Sequence, residues 1–254
     1  DAMSNAGNVD LHTPALDAIA RDGVRFDRAY CTFPLCTPSR ASLFTGRMPH
    51  EVGVTANVQP LPEDGRRREM GWVFRDVGYE TAYAGKWHLP KQTMDEGHGF
   101  EVLCGMDDPL ATRRSVEFLR RPHERPFLLV TSYFQPHGCC PYHRYPDPRE
   151  CIKLGLGHYG SPSLPGAEED FDWPADAHEE SFLQRCPELP TNFAPASPEP
   201  ELVSAKRIQT RDMPPERRPA FWAPQEEFNA ARNWSDETYR HYRWAYYRLV
   251  EWVD

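Results

Sequence analysis

The sequence predicts an α/β fold with a mainly parallel central sheet flanked by helices. Three observations indicate this class. Amphipathic helical segments alternate with short apolar runs of the buried-strand type, an order typical of parallel sheets. Breaker residues separate these segments. Chemically active side chains follow directly on two of the apolar runs, and ligands bind beyond the carboxyl ends of parallel strands. A chain of 254 residues is long enough to bury a substantial core.

The first helix is expected to begin at Thr13-Pro14 and to stop at Gly23. Thr13 can cap the helix, and proline fits the first helical position because its missing N–H has no partner there in any case. Residues 24–31, from Val24 to Cys31, are expected to be extended.

The second helix is predicted to begin at about Pro38 or Ser39 and to run to Thr45, with Gly46 as its C-terminal breaker. Residue 36 then lies just before a helix N-terminus. Free backbone N–H groups and partial positive charge at such an end favour an anion.

Two helix–strand pairs follow. A helix is predicted from Arg66 to Val77 and a short strand from Tyr79 to Ala84; a further helix runs from Thr112 to Arg120, and a buried strand from Pro126 to Tyr133. The two strands end beside candidate functional residues, which places these residues at one edge of the sheet.

The region from Pro136 to Pro224 holds sixteen of the 26 prolines and shows no clear periodicity. We interpret residues 138–234 as a long insertion. It could carry substrate contacts, with a piece such as Phe221-Trp222 packed down, or it could be a mobile insertion without a role. A last helix is predicted from Ser235, the expected cap, to the end of the chain.

Composition excludes several function classes. The net charge of -9 argues against a nucleic-acid binder, which needs basic surface. No apolar run approaches the roughly 20 residues of a membrane helix. Seven irregularly spaced cysteines indicate neither a disulfide framework nor a zinc site. No signal peptide is visible, and the compartment stays open.

The run Cys36-Thr37-Pro38-Ser39-Arg40, continuing to Gly46-Arg47, resembles the signature of the type I sulfatases of the alkaline phosphatase superfamily. The resemblance implies that a formylglycine-generating enzyme oxidises Cys36 to formylglycine. The hydrate of that aldehyde would be the nucleophile, and Arg40, one helical turn away, would reach the diol or a sulfate oxygen.

The segment Gly78–His88, ending in Gly85-Lys86-Trp87-His88, resembles the second signature of the same family. The resemblance implies that Lys86 contacts sulfate and that His88 accepts a proton when the covalent sulfate intermediate collapses. Pro90 stands where the family often has glycine, a difference that concerns the loop more than the chemistry.

His137, in Gln135-Pro136-His137, resembles the sulfatase histidine that binds sulfate and protonates the leaving alcohol. The following Gly138–Pro141 differs from the family pattern, and His143 is the substitute if the register is shifted. The remaining histidines with no supporting context are expected to be surface or structural residues: His12, His50, His98 and His123.

The resemblance also implies a calcium ion, with magnesium as the alternative, held by oxygen ligands. Residue 36, once oxidised, is the one expected ligand within this chain. Residues 1–254 are therefore expected to be part of a catalytic domain whose first strand and C-terminal part lie outside the sequence, and to be inactive alone.

The function expected from the resemblance is hydrolysis of sulfate esters, with sulfated carbohydrates as substrates. Three alternatives stay open: a phosphonate monoester or phosphodiester hydrolase of the same superfamily, a non-catalytic binder of sulfated glycans, and a hydrolase that uses an ordinary cysteine nucleophile. The partners implied are a small-molecule or oligosaccharide sulfate ester and the formylglycine-generating enzyme.

Overall fold

The computed structural model describes residues 2–57, 59–62, 69–89, 96–139, 147, 176, 179–193 and 234–254. Most of the predicted insertion at 138–234, including Phe221-Trp222, lies outside these residues. The chain divides into two compact units. The sheet unit comprises residues 23–135 with Val253, and the helical unit comprises residues 1–22 and 136–252 with Asp254. Within the described part of the chain, no helix has the length and apolar character to cross a membrane.

The described residues of the sheet unit form three parallel strands, which confirms the predicted fold class. They are Glu80–Gly85 (β1), Glu101–Cys104 (β2) and Phe127–Ser132 (β3), in the order β2-β1-β3. β1 and β3 pair along their whole length, so that Gly85 lies opposite Ser132. The carboxyl ends of these two strands therefore meet at one edge. The strand β2 was not predicted from the sequence, because four residues give too short a pattern to detect.

Among the described residues, three α-helices belong to the sheet unit and two to the helical unit. The described ranges contain the α-helices Pro14–Asp22 (α1), Cys36–Thr45 (α2), Met70–Asp76 (α3), Asp108–Arg120 (α4) and Asp236–Trp252 (α5). The predicted start of α3, Arg66–Arg68, lies outside the described residues. The expected extended stretch at 24–31 is not a strand; it contains a turn at residues 27–28, and three of its apolar side chains are largely exposed: Val24, Phe26 and Tyr30.

The start of α2 differs from the prediction. The helix begins at Cys36 rather than at Pro38 or Ser39, so residue 36 is the first helical residue. Pro38 is tolerated because N–H groups in the first turn have no partner within the helix. The predicted end is confirmed: Gly46 has φ +67° and its N–H donates to the Ser42 carbonyl at 2.8 Å.

The start of α4 was also predicted too late, at Thr112 instead of Asp108. Asp107 caps this helix, and its carboxylate accepts the Leu110 N–H at 2.8 Å. Pro109 stands in the first turn, where proline is favoured. An aspartate followed closely by proline is thus the start signal that the helical periodicity alone did not reveal.

An aromatic core joins α2 to the segment that follows β1. Phe44 of α2 contacts Trp87 with ring centroids 4.8 Å apart, and Tyr83 of β1 contacts Trp87 at 5.2 Å. Phe100 completes this cluster, and all four side chains are buried. Aromatic pairs of this geometry add to the free energy of burial. The cluster therefore fixes the position of α2 relative to the residues on either side of Trp87.

The helical unit contains α1 and α5. Its α1 is not capped by Thr13, whose hydroxyl accepts the Ser4 N–H at 3.0 Å. Instead, the carboxylate of Asp254 accepts the N–H groups of Ala15 and Leu16 at 2.9 and 2.8 Å. The predicted cap of α5 is confirmed, because the Ser235 hydroxyl accepts the Thr238 N–H at 3.2 Å.

Candidate active site

The N-terminus of α2 is tied to two loops. The Thr37 N–H donates to Asn57 Oδ1, and the Thr37 hydroxyl donates to the His88 carbonyl, both at 3.0 Å. Leu35, just before the helix, has an extended backbone and supplies no side-chain cap. These two hydrogen bonds hold the half-buried Cys36 at the helix end and next to the segment that follows β1.

Lys86 brings a positive charge to Cys36. Its Nζ lies 3.9 Å from Cys36 Sγ and 5.2 Å from the centroid of the Phe134 ring. The Lys86 side chain is buried, with only 7% of the residue exposed. An ammonium group in such a setting, at a helix N-terminus, favours an anion beside residue 36.

Arg40 is held by two hydroxyl groups. Its Nη2 donates to Ser132 Oγ at 2.7 Å, and its Nη1 donates to the Tyr83 hydroxyl at 3.2 Å. The Tyr83 hydroxyl in turn donates to the Lys86 carbonyl. Burial raises the pKa of Tyr83, so the phenol keeps the proton that this second bond requires. One hydroxyl group therefore connects the arginine to the backbone of the lysine.

The backbone after β1 makes a close approach to β3. Gly85 has φ +97°, and a Cβ added there would lie 2.1 Å from the Ser132 carbonyl oxygen. Only glycine fits, and the Lys86 N–H then donates to that same carbonyl at 2.7 Å. His88 also adopts a left-handed conformation, with φ +61°. Strain of this kind in a non-glycine residue is typical of functional sites.

His88 is held in its neutral form. Burial lowers its pKa, and the positive charges of Lys86 and Arg40 lower it further. Its Nδ1 is buried and has no hydrogen-bond partner among the residues that the structure describes. A neutral imidazole beside two cations can accept a proton.

Asp108, at the start of α4, anchors the chain that leaves β3. Its carboxylate accepts the N–H of Phe134 at 2.6 Å and the N–H of Gln135 at 2.9 Å. This contact sets the position of Phe134, whose ring faces Lys86 Nζ.

Four of the five predicted site residues lie in the sheet unit, and hydrogen bonds and close contacts link them: Cys36, Arg40, Lys86 and His88. His137 belongs to the helical unit, where it begins the 3-10 helix His137–Cys139. Its substitute, His143, lies outside the described residues. Four further residues of the site were not predicted, because each acts through a long-range hydrogen bond that no local motif reveals: Tyr83, Ser132, Asn57 and Asp108.

His98, expected to be a surface or structural residue, is buried. Its Nδ1 lies 2.6 Å from the carboxylate of Glu69, and its ring packs on Trp87 with centroids 4.5 Å apart. A buried carboxylate–imidazole pair therefore supports the segment that carries Lys86 and His88.

The described residues do not form a complete metal site. No group of three or more His, Cys, Asp and Glu side chains that could hold a cation is found among them. The donor set at residue 36 therefore does not fit a divalent ion by itself.

The comparisons with known proteins decide the family. The Sulfatase family model matches residues 1–254. The chain belongs to the sulfatase family. Its relatives include the uncharacterized sulfatase YidJ of Escherichia coli (strain K12), 34% identical over 50% of this chain and 34% of the relative. The Delta 4,5-hexuronate-2-O-sulfatase of Bacteroides thetaiotaomicron is 25% identical over 95% of the chain and 45% of the relative.

Further relatives agree with this assignment. Human N-sulphoglucosamine sulphohydrolase is 28% identical over 68% of the chain and 35% of its own length. A solved 2-O GAG sulfatase is similar with a TM-score of 0.61 and 25% identity, over 95% of this chain and 46% of that chain. The phosphonate monoester hydrolase of Agrobacterium radiobacter has the same TM-score of 0.61 at 17% identity, covering 100% of this chain and 54% of that chain, which shows a shared fold. This sulfatase chain spans less than half of the length of the relatives YidJ, the hexuronate sulfatase and the human enzyme.

Proposed function

We propose that the protein hydrolyses sulfate esters with a nucleophile made from Cys36. One observation carries this proposal: the Lys86 ammonium lies 3.9 Å from Cys36 Sγ at the first residue of a helix. Arg40, one turn further along α2, adds a second fixed cation. A sulfuryl group in transfer carries negative charge on its outer oxygens, and fixed positive groups stabilise that charge.

The first half of the proposed reaction forms a covalent intermediate. Sulfatases generally depend on formylglycine and on a metal, and the proposed aldehyde at residue 36 is hydrated to a geminal diol. One diol hydroxyl loses its proton to water as its oxygen attacks sulfur, and the bond from sulfur to the ester oxygen breaks. The ester oxygen takes a proton as the alcohol leaves, and we assign His137 as the donor.

The second half releases sulfate. The other diol hydroxyl gives its proton to His88 while the bond between carbon and the sulfated oxygen breaks. The aldehyde forms again, sulfate leaves, and water restores the diol. The lowered pKa of His88 supports its role here, since the neutral ring is the form that accepts a proton. An ordinary thiol or hydroxyl would lack this second hydroxyl and would leave a stable ester.

Calcium, with magnesium as the alternative, remains our proposal for the metal, with oxidised Cys36 as one ligand. The described residues contain no group of three or more His, Cys, Asp and Glu side chains that could complete its site. No step of the proposed reaction is routed through the ion, and Lys86 and Arg40 supply the charge stabilisation within this chain.

Sulfated carbohydrates are the proposed substrates. Two relatives are named for sulfated sugars, the hexuronate-2-O-sulfatase and the N-sulphoglucosamine sulphohydrolase. We further propose that residues 1–254 are part of the catalytic domain and that the Pro-rich segment at 138–234 contributes substrate contacts.

The test is a mass and activity measurement on the full-length protein, expressed with and without a formylglycine-generating enzyme. The peptide that contains residue 36 is expected to lose the mass that accompanies oxidation of thiol to aldehyde, and hydrolysis of 4-nitrophenyl sulfate should follow the oxidised fraction. Faster hydrolysis of a 4-nitrophenyl phosphonate ester than of the sulfate would favour the phosphonate hydrolase instead.

The matched variants are Cys36→Ala and Cys31→Ala, which remove a half-buried and an exposed thiol of the same unit. Cys36→Ala is expected to abolish turnover, with a change in unfolding free energy within about 0.5 kcal/mol. Cys31→Ala should keep the turnover and the unfolding free energy of the parent. Full turnover by a protein whose residue 36 is an unoxidised thiol would contradict the proposed nucleophile.

A further inference from the structure

A groove of about 900 Å³ lies at the end of the sheet where β1 and β2 begin. We name it the arginine groove; it is lined by Trp72, Arg75, Glu80, Glu101, Arg121 and Arg125, among others. Glu80 is the first residue of β1, whereas Lys86 follows its last, so the groove and the candidate active site lie roughly 17 Å or more apart. A volume of this size is in the range of small-molecule sites.

One cluster in the arginine groove pairs two carboxylates with a single arginine and a histidine. Arg121 donates to the Glu101 carboxylate at 2.8 and 3.1 Å and to Glu80 at 3.3 Å. His123 lies 3.0 Å from the same Glu80 carboxylate, and this hydrogen bond lowers the pKa of Glu80. Glu101 is thus paired with Arg121, and Glu80 is paired with both Arg121 and His123.

Two further arginines of the groove make no ion pair with the described residues. Arg75 and Arg125 are exposed, and no carboxylate of the described residues lies within ion-pair distance of either. The lining thus holds three arginines and two glutamates, an excess of one positive charge, in a chain of net charge -9. Guanidinium groups bind carboxylate and sulfate through paired hydrogen bonds.

An aromatic surface lies beside these charges. The indole of Trp72 is half-buried, and its Nε1 donates to the Gly97 carbonyl at 3.0 Å, which fixes the ring. The Arg75 guanidinium lies 5.4 Å from the centroid of that ring. A fixed indole offers a flat apolar surface of low conformational entropy. The C–H face of a pyranose ring matches such a surface.

We propose that the arginine groove binds an acidic sugar unit, with its ring against Trp72 and its sulfate or carboxylate group at Arg75 and Arg125. This site lies away from the candidate active site and goes beyond the proposed function. The bound sugar unit would belong to the polysaccharide whose sulfate ester lies in the active site, or to a second polysaccharide chain. The arginine groove would take no part in the reaction.

The test measures binding by calorimetry to the full-length protein that carries Cys36→Ala, so that no turnover occurs. The probes are short oligosaccharides of dextran sulfate, of polygalacturonate and of uncharged dextran. We expect affinity for the dextran sulfate or the polygalacturonate oligosaccharides to fall about tenfold or more in two variants. These are the double variant Arg75→Ala/Arg125→Ala and the variant Trp72→Leu. The double variant should also show a weaker dependence on salt.

The matched control is Arg113→Ala/Arg120→Ala, which removes the same charge from exposed positions on α4. It should bind like the parent. Binding of the sulfated or of the carboxylated series supports the inference and identifies the anion. Unchanged affinity in the double variant, or equal binding of uncharged dextran, would overturn it. The binding measurement needs no turnover. If the protein with Cys36 intact hydrolyses no sulfate ester and yet these probes bind, the proposed function is contradicted and the binding site in the arginine groove is not.

Discussion

Tyr83 connects the two cations of the candidate active site through a single hydroxyl group. That hydroxyl accepts from Arg40 and donates to the Lys86 carbonyl, and the side chain is fully buried. The neighbouring Ser132 hydroxyl holds the other terminal nitrogen of Arg40. The directions of both cations therefore depend on two hydroxyl groups that contact no substrate in the proposed reaction.

We expect Tyr83→Phe to lower the kcat for 4-nitrophenyl sulfate by about tenfold or more and to change KM less. Removal of the hydroxyl leaves a half-buried donor on Arg40 and a buried acceptor on Lys86 without their partner, a cost of about 1–3 kcal/mol. Tyr79→Phe is the control, since it removes a tyrosine hydroxyl for which the described residues show no hydrogen bond. Equal kinetics for both variants would remove the positioning role of Tyr83.

The sequence could predict Cys36, Arg40, Lys86 and His88 because each lies in a local run of distinctive residues. It could not predict Tyr83 or Ser132, since their partnership with Arg40 joins positions 43 and 92 residues apart. Such contacts follow from the pairing of β1 with β3 and from the packing of α2 over both strands.

Among the elements, α4 has a second role besides covering the sheet. Its first residue, Asp108, accepts two backbone N–H groups from the chain that leaves β3. Burial raises the pKa of this carboxyl group, whereas the two N–H donors oppose that effect. The helical periodicity of the sequence revealed the middle of α4 but not this start, so the anchor was missed together with the cap at Asp107.

Asp108→Asn is expected to destabilise the protein by about 1–3 kcal/mol, because an amide can accept only one of the two N–H groups and turns a donor towards the other. The measurements are urea unfolding and hydrogen exchange at the Phe134 and Gln135 amides, which should lose protection. Glu124→Gln, at an exposed position before β3, should leave both unchanged. An unaltered midpoint in Asp108→Asn would show that the loop is held by other contacts.

At the scale of the whole molecule, Lys86 and Arg40 place two positive groups where the chemistry is proposed, in a chain whose net charge is -9. Burial lowers the pKa of His88 and the charges of Lys86 and Arg40 lower it further, so the native protein resists a proton that the unfolded chain would accept. The fold class could be predicted because alternation of helices and apolar runs is a property of the entire sequence. The contrast between the positively charged candidate site and the negatively charged chain depends on which side chains become buried. Only the structure shows that burial.

The free energy of unfolding should therefore depend on pH through His88. Because the folded-state pKa of His88 lies below its unfolded value, the unfolded chain binds more protons, and stability falls as the pH drops from about 7 towards 5. His88→Asn keeps a residue that tolerates the left-handed backbone and removes the titrating ring. Urea unfolding across this range should show a shallower decline in the free energy of unfolding for His88→Asn than for the parent.

His50→Asn, which removes an exposed histidine of the same unit, is the control for loss of any imidazole. Parallel curves for the parent and His88→Asn would mean that the ring is not held neutral, and the proton-accepting role in sulfate release would have to pass to another group.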